Sequence, residues 1–285
     1  MSRDLVFAAL VLTICGSLAW LPGLLPSAVS AREGGVARER STWRRLWAPL
    51  VPAVLALGVL VGWRLQEPRI TDELLRPTAL ALGVPLGVVW VRALVRAARA
   101  LRVSADGVAA AAVGLLRPRI VLDPVFSAEL DPAARDAVLA HERAHTRHRD
   151  PLRIWLARAA TDLQWPFRSP SVRLDAWLEA LELARDDEAR HAGARGEDLA
   201  SGLLHAARRP HAGHIGAGAI ATLTSPEMRL AARVNRLLRP LHVEPAPSSR
   251  ARFWFAALAI AVVAATWVGW THGDLVLRAL PFVAS

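Results

Sequence analysis

The sequence predicts a mainly α-helical, polytopic membrane protein with four transmembrane helices. Between the third and fourth it predicts a cytoplasmic α+β part containing a short β-hairpin. Three observations lead there. The chain of 285 residues is 53% hydrophobic, and its apolar residues gather into four runs. Its 35 basic residues, against 25 acidic, cluster beside some of those runs and not others. The stretch 100–250 carries the helix starts and Gly/Pro punctuation of a folded domain.

The apolar runs are Leu5 to Leu25, Leu46 to Trp63, Thr78 to Val91 with its flanks, and Phe253 to Trp270. A helix crossing the hydrocarbon core needs about 20 mainly apolar residues. The runs carry almost no charge on any face, unlike the amphipathic helices of a soluble core. The expected spans are about 5–25, 46–64, 76–95 and 253–271, the third carrying Pro85. Trp43, Trp47, Trp63, Trp90, Trp254, Trp267 and Trp270 lie near run ends, where an aromatic belt would sit at headgroup level.

The arginines set an orientation. Arg32, Arg38, Arg40, Arg44 and Arg45 lie between the first two runs, Arg92, Arg96, Arg99 and Arg102 follow the third, and Arg250 and Arg252 precede the fourth. The alternate connections are poorer or balanced by acids, so the arginine-rich side is expected to be cytoplasmic and both termini outside. Run one is expected to stay as a span rather than be cleaved, because its start has only Arg3, offset by Asp4. The implied location is the plasma membrane, multi-pass, and the source is expected to be bacterial. The basic excess is juxtamembrane, which favours membrane lipids of anionic charge over nucleic acid, and no direct nucleic-acid contact is expected. The lone Cys15 permits no internal disulfide and no cysteine metal cluster. No feature specifies an oligomeric state.

The expected organisation is a membrane region over 1–99, a domain over 100–250, and a last span with a short external tail over 251–285. Within the domain, "DGVAAAAVGLLRPRIVLDP" reads as a hairpin or strand pair. Asp131-Pro132 starts a helix to about Arg149, and Asp150-Pro151 repeats the signal for a second, to about Leu163. "WPFRSP" breaks the pattern, and helices are expected over about 171–190 and 225–240, with a loop over 207–219 between them.

The first of these helices contains "AVLAHERAHTRHRDPLR", with His141, Glu142 and His145 in the order H-E-x-x-H. Residues four apart share one helix face, so both imidazoles can reach one zinc ion. Glu142 can lean over a zinc-bound water, whose pKa falls to about 7, and take its proton. A catalytic zinc site needs a third protein ligand. Six residues beyond His145 stands Pro151, which cannot ligate, and His148 is expected to flank the site. The favoured ligand is Glu182, with Glu179 as its rival. Asp186, one turn after Glu182, can hydrogen-bond the outer nitrogen of a ligand histidine.

Four segments in order, "GLLRPRIVL" (114–122), "VLAHERAHTRHRD" (138–150), "WPF" (165–167) and "LELARDDEA" (181–189), resemble the M56 family of membrane metallopeptidases. This is the family of the antibiotic-sensing receptors BlaR1 and MecR1. "RLAARVNRLLRP" (229–240) resembles its last cytoplasmic helix. The resemblance implies a zincin-like (gluzincin) cytoplasmic endopeptidase domain holding one Zn2+ on His141, His145 and Glu182, with Glu142 as general base. It implies that "GLLRPRIVL" borders the cleft as a strand able to pair with an extended substrate, Gly114, Leu115, Leu116, Arg117 and Pro118 being the candidate positions. It also implies a cytoplasmic protein substrate, a winged-helix repressor like those of the BlaI/MecI family.

Two departures stand out. Only "THGDLVLRALPFVAS" follows the fourth run, so the resemblance does not extend to an external β-lactam sensor. Arg185 stands where many relatives carry cysteine, a change expected to matter little at the metal. Two other readings share the motifs: a quality-control protease resembling the M48 family, and a non-enzymatic signalling protein with structural zinc. The intact Glu142 argues against the latter, since a structural site needs no base. His191 and His205, or an arginine, are candidates for stabilising an oxyanion.

Overall fold

The computed structural model describes residues 3–24, 35–66, 77–101, 108–209, 226–240 and 250–278. The expected loop at 207–219 from residue 210 on, the connection around Arg69 and the tail beyond Arg278 lie outside them. The helices are α1 (Arg3–Leu10), α2 (Gly16–Trp20), α3 (Gly35–Trp47), α4 (Val51–Gln66), α5 (Pro77–Ala100), α6 (Pro124–Glu129), α7 (Pro132–Arg147), α8 (Asp150–Asp162), α9 (Ser169–His191), α10 (Gly196–Ala207), α11 (Pro226–Leu237) and α12 (Arg250–Arg278). The fold is mainly helical, with one antiparallel hairpin of β1 (Ala110–Val113) and β2 (Arg119–Leu122).

Three helical stretches among the described residues are long and apolar enough to cross a membrane: Phe7–Leu24, Gly35–Gln66 and Ala256–Gly273. The third expected span forms the 24-residue helix α5, with Pro85 inside it. Val84, Val88, Val91 and Leu94 on α5, and Ile260, Val263 and Trp267 on α12, are well exposed. Such large outward apolar faces suit lipid rather than water.

α4 and α12 pack closely along their length, and small residues set the distance. A Cβ added at Gly62 would collide with the Thr266 carbonyl, and one at Gly269 with the Val59 carbonyl. Gly58 and Gly62, and Gly269 and Gly273, each stand four apart, the spacing that lets two membrane helices touch backbone to backbone.

Two expectations are corrected. From Gly35 onward the arginine-rich connection before the second span is not a loop. It is α3, running through the turn Ala48–Leu50 into α4. Gly35, Glu39, Thr42 and Leu46 are buried at helical spacing, and this face packs on α9. The belt reading fails for Trp43, Trp47 and Trp63. Trp63 is buried in the core of the first two spans. Trp43 and Trp47 pack with Trp177, Leu46, Ala157 and Leu181, joining α3, α8 and α9. Burial of that apolar cluster is what docks α3.

The hairpin packs on α7 through Ala109, Phe126, Leu130 and Ala134. Its register pairs Ala110 with Leu122 and Val113 with Arg119. Gly114 to Pro118, read from the sequence as strand, are its turn. Gly114 has φ +104°, a region open chiefly to glycine, and Pro118 has no N–H to give a ladder. Within this motif the strand is β2, Arg119–Leu122.

Candidate metal centre

α7 presents His141 and His145 on one face, buried, one turn apart. Their Nε2 atoms face each other at 3.0 Å. α9 lies across α7 and brings Glu182, whose Oε2 is 3.6 Å from His141 Nε2 and whose Oε1 is 3.6 Å from His145 Nε2. The three side chains offer ligand atoms all within 4.8 Å of one another. Bonds of 2.0–2.1 Å to a tetrahedral zinc put neighbouring ligand atoms about 3.3–3.4 Å apart. The 3.0 and 3.6 Å separations bracket that spacing, so two imidazoles and a carboxylate fit the ion in size and in donor type. Glu182 keeps 39% of its side chain open to solvent, which leaves one side of the group approachable. Glu142, next to His141 on α7, is buried.

A carboxylate lies beside each outer nitrogen, and the one bonded to His145 favours the tautomer that leaves its Nε2 lone pair for a metal. His145 Nδ1 donates to Asp150 Oδ2 at 2.9 Å. Asp186 Oδ1 lies 3.0 Å from His141 Nδ1. The approach is off the ring's N–H direction, so it is an electrostatic contact rather than a straight hydrogen bond. Burial alone would depress the His141 pKa, but Asp186 and Glu182 outweigh it and raise it to about 10. Burial disfavours charge on Glu182 as well, yet Arg233, His141 and His145 hold its carboxyl well below the usual range.

The rival ligand Glu179, the flanking His148 and the oxyanion candidates His191 and His205 all meet other partners. Glu179 accepts from Arg38 at 3.2 Å on the surface. His148 meets Glu188 at 2.8 Å. His191 and His205 contact carbonyls of their own helices, Asp187 at 2.7 Å and Ser201 at 3.0 Å.

Three residues of the site escape a reading of the motifs. The first is Asp150, read from its Asp-Pro signal as a helix cap. The cap position is Arg149, in the left-handed region at φ 52°, uncommon for a residue other than glycine. That turn folds α8 back under α7 and buries Asp150 completely beneath His145. The second is Arg185, 4% exposed. Its Nη2 donates to Asp150 Oδ1 at 3.0 Å and its Nε to Asp150 Oδ2 at 2.5 Å. The expectation that this position matters little at the metal is corrected, because Arg185 grips the carboxylate that orients His145. The third is Arg233 on α11. It forks onto Asp186, Nε to Oδ2 at 2.6 Å and Nη2 to Oδ1 at 2.8 Å, while its Nη1 is 2.9 Å from Glu182 Oε2. Arg236 forks in the same way onto Asp187 at 2.7 Å. These two bidentate pairs, worth more than single ion pairs, set α11 against α9. A run of three acids, Asp186 to Glu188, facing a helix with arginines three apart was the available signal.

Residues 88–186 match the Peptidase M56 family, described as BlaR1 peptidase M56. The resemblance to the M56 peptidases is thereby shown over this stretch. It takes in β1, β2, the H-E-x-x-H helix and α9 as far as Asp186, and it supports a metallopeptidase-type function. Arg233 lies beyond the M56 match. No curated protein and no solved structure matches the chain significantly.

Proposed function

We propose that this chain is a membrane-bound zinc metalloendopeptidase that cleaves a cytoplasmic protein, its target being a winged-helix transcriptional repressor. The observation that carries the enzymatic part is the convergence of His141, His145 and Glu182, with Glu142 buried beside them, inside an M56 peptidase match.

His141 Nε2, His145 Nε2 and the Glu182 carboxylate would hold the zinc, which supplies a water of lowered pKa and polarises the scissile carbonyl. Glu142 takes a proton from the attacking water as the C–O bond forms. It returns that proton to the amine nitrogen as the C–N bond breaks. Asp150 keeps His145 in the tautomer with Nε2 free. Arg233, bridging Asp186 and Glu182, would hold the ligand carboxylate of Glu182 in place. An extended substrate strand would add to an edge of the β1–β2 hairpin.

Metal analysis of the purified chain tests the ligand set: one zinc per wild-type chain, and most of it lost in His141→Ala. Full zinc content in that variant would show the assignment to be wrong.

The proposed topology has four spans, with the region 100–250 cytoplasmic and both termini outside. It rests on the uneven arginine distribution and on the three apolar helices. Cysteines introduced singly on a background lacking Cys15 should be labelled from outside near the termini and be protected near Arg147. External labelling at Arg147 would overturn both the topology and the cytoplasmic substrate. The repressor part rests on that topology together with the family match.

A further inference from the structure

The helical stretch Gly35–Gln66 has two unlike halves joined through Ala48–Leu50. Its α4 half is apolar. Its α3 half carries Arg38, Glu39, Arg40, Arg44 and Arg45. Of these, Glu39 points inward and is only 7% exposed. A buried carboxylate requires partners, and Glu39 has two. Its Oε1 accepts from Arg153 Nη2 and from Trp177 Nε1, the latter at 3.3 Å.

Arg153 is a bridge. Its other terminal nitrogen, Nη1, donates to Asp150 Oδ1 at 3.0 Å. Its guanidinium lies 4.6 Å from the centre of the Trp43 ring and 5.5 Å from that of Trp177, so aromatic faces cover the cation. Asp150 then reaches His145 Nδ1. The chain of contacts is Glu39, Arg153, Asp150, His145: from the α3 half of the apolar Gly35–Gln66 stretch to an imidazole of the candidate metal centre in three polar steps. Arg185 takes up further acceptor capacity on Asp150, so its carboxylate cannot turn without breaking a charged contact. The start of α3 adds a second hold. A Cβ at Gly35 would strike Asp187 and the Leu183 carbonyl, in the very turn of α9 that carries Glu182 and Asp186.

We infer that Glu39 and Arg153 are positioning residues through which the Gly35–Gln66 helix holds His145 in its ligating orientation. A rotation or shift of that helix moves Glu39, and Arg153 must either follow it or lose an acceptor. Asp150 Oδ1 is drawn with it, and the orientation of His145 changes. Partners of ligand histidines typically carry 10- to 100-fold in metal affinity. Glu39 acts one residue further out, so about tenfold is expected.

The inference rests on the metal-centre reading, and the test separates the two. Zinc affinity is measured on the full-length chain in detergent by competition with a chelator. The visible spectrum of the cobalt(II)-substituted protein reports ligand orientation independently of activity. Glu39→Gln should bind zinc about tenfold more weakly and shift the cobalt bands, with Glu39→Asp recovering part of the loss. Arg153→Lys, which keeps the charge but has one nitrogen in place of the two that reach Asp150 and Glu39, should act in the same direction and serves if Glu39→Gln does not fold. Arg38→Gln removes another contact between α3 and α9, the pair with Glu179, and should leave affinity and spectrum unchanged. Wild-type affinity and spectrum in a folded Glu39→Gln or Arg153→Lys protein overturn the relay alone. An equal loss in Arg38→Gln also overturns it, since any loosening of α3 would then suffice. A wild-type chain that binds no zinc overturns the metal-centre reading and the relay together.

Discussion

Glu142→Ala is expected to keep its zinc and its fold and to lose proteolysis by about 100- to 10,000-fold. Glu142 lies on α7 beside His141 but is not one of the three converging ligands. Removing its carboxylate takes away the proton acceptor without removing a metal donor. Arg233 feels the negative charge of Glu142 as well as that of Asp186 and Glu182. The variant leaves it two carboxylates and no need to rearrange. Zinc content and thermal unfolding of the purified protein check the first half of this expectation, and cleavage assays the second. The same variant tests the substrate class in cells. Cytosolic proteomes of wild-type and Glu142→Ala cells should differ by one shortened DNA-binding protein. Wild-type cleavage by the variant would sink the mechanism. Accumulation of many membrane proteins with no change in a repressor would point to general clearance instead.

Asp150→Ala is expected to cost about 3–5 kcal/mol of stability, the range for removing one partner of a buried ion pair. Asp150 is completely buried, and Arg185, which forks onto it, is 4% exposed. The Asp150 carboxylate is held well below the usual carboxylate range. Burial opposes that shift, but hydrogen bonds from His145 and Arg185 and their charges prevail. Alanine would leave the Arg185 guanidinium uncompensated inside the protein, deprive Arg153 of one of its two carboxylates, and strip the acceptor from His145 Nδ1. Zinc affinity should therefore fall alongside stability, by about 10- to 100-fold. Asp150→Asn keeps an acceptor for His145 and should be milder in both respects. Thermal unfolding and chelator competition on the three proteins decide it. An Asp150→Ala protein as stable as wild type would mean that Arg185 is not held by this pair.

Features of this protein governed by neighbours in the chain were legible without its structure. Apolar runs form helices wherever they stand. Histidines four apart share a helix face by the 3.6-residue period, and Asp131-Pro132 begins α7 where read. The strand pair was legible from its small and β-branched residues, although its turn was read as strand because Gly114 and Pro118 were weighed as part of a longer motif. Local rules named both Glu179 and Glu182 as candidates and favoured Glu182. How α9 lies across α7 supplies the geometry behind that preference. That crossing turns Glu182 toward the histidines and leaves Glu179 beside Arg38 at the surface.

The rest was decided by pairings across long separations. Asp150 serves His145 only because a left-handed Arg149 folds one helix beneath the other. Arg185 becomes part of the site through Asp150, 35 residues away. Arg233 reaches Asp186 over 47 residues, and Arg153 reaches Glu39 over 114. Nothing in the spacing of an arginine along the chain tells which carboxylate it will meet. In a chain with 35 basic and 25 acidic residues, composition allows a very large number of such pairs. Burial selects among them, because a charge taken out of water must find its counter-charge within the packed core. The sequence alone therefore determined which side chains can ligate a metal and which helices carry them. Only the tertiary structure decided which charges hold those ligands in place, since that depends on which helices pack together and which groups their packing removes from water.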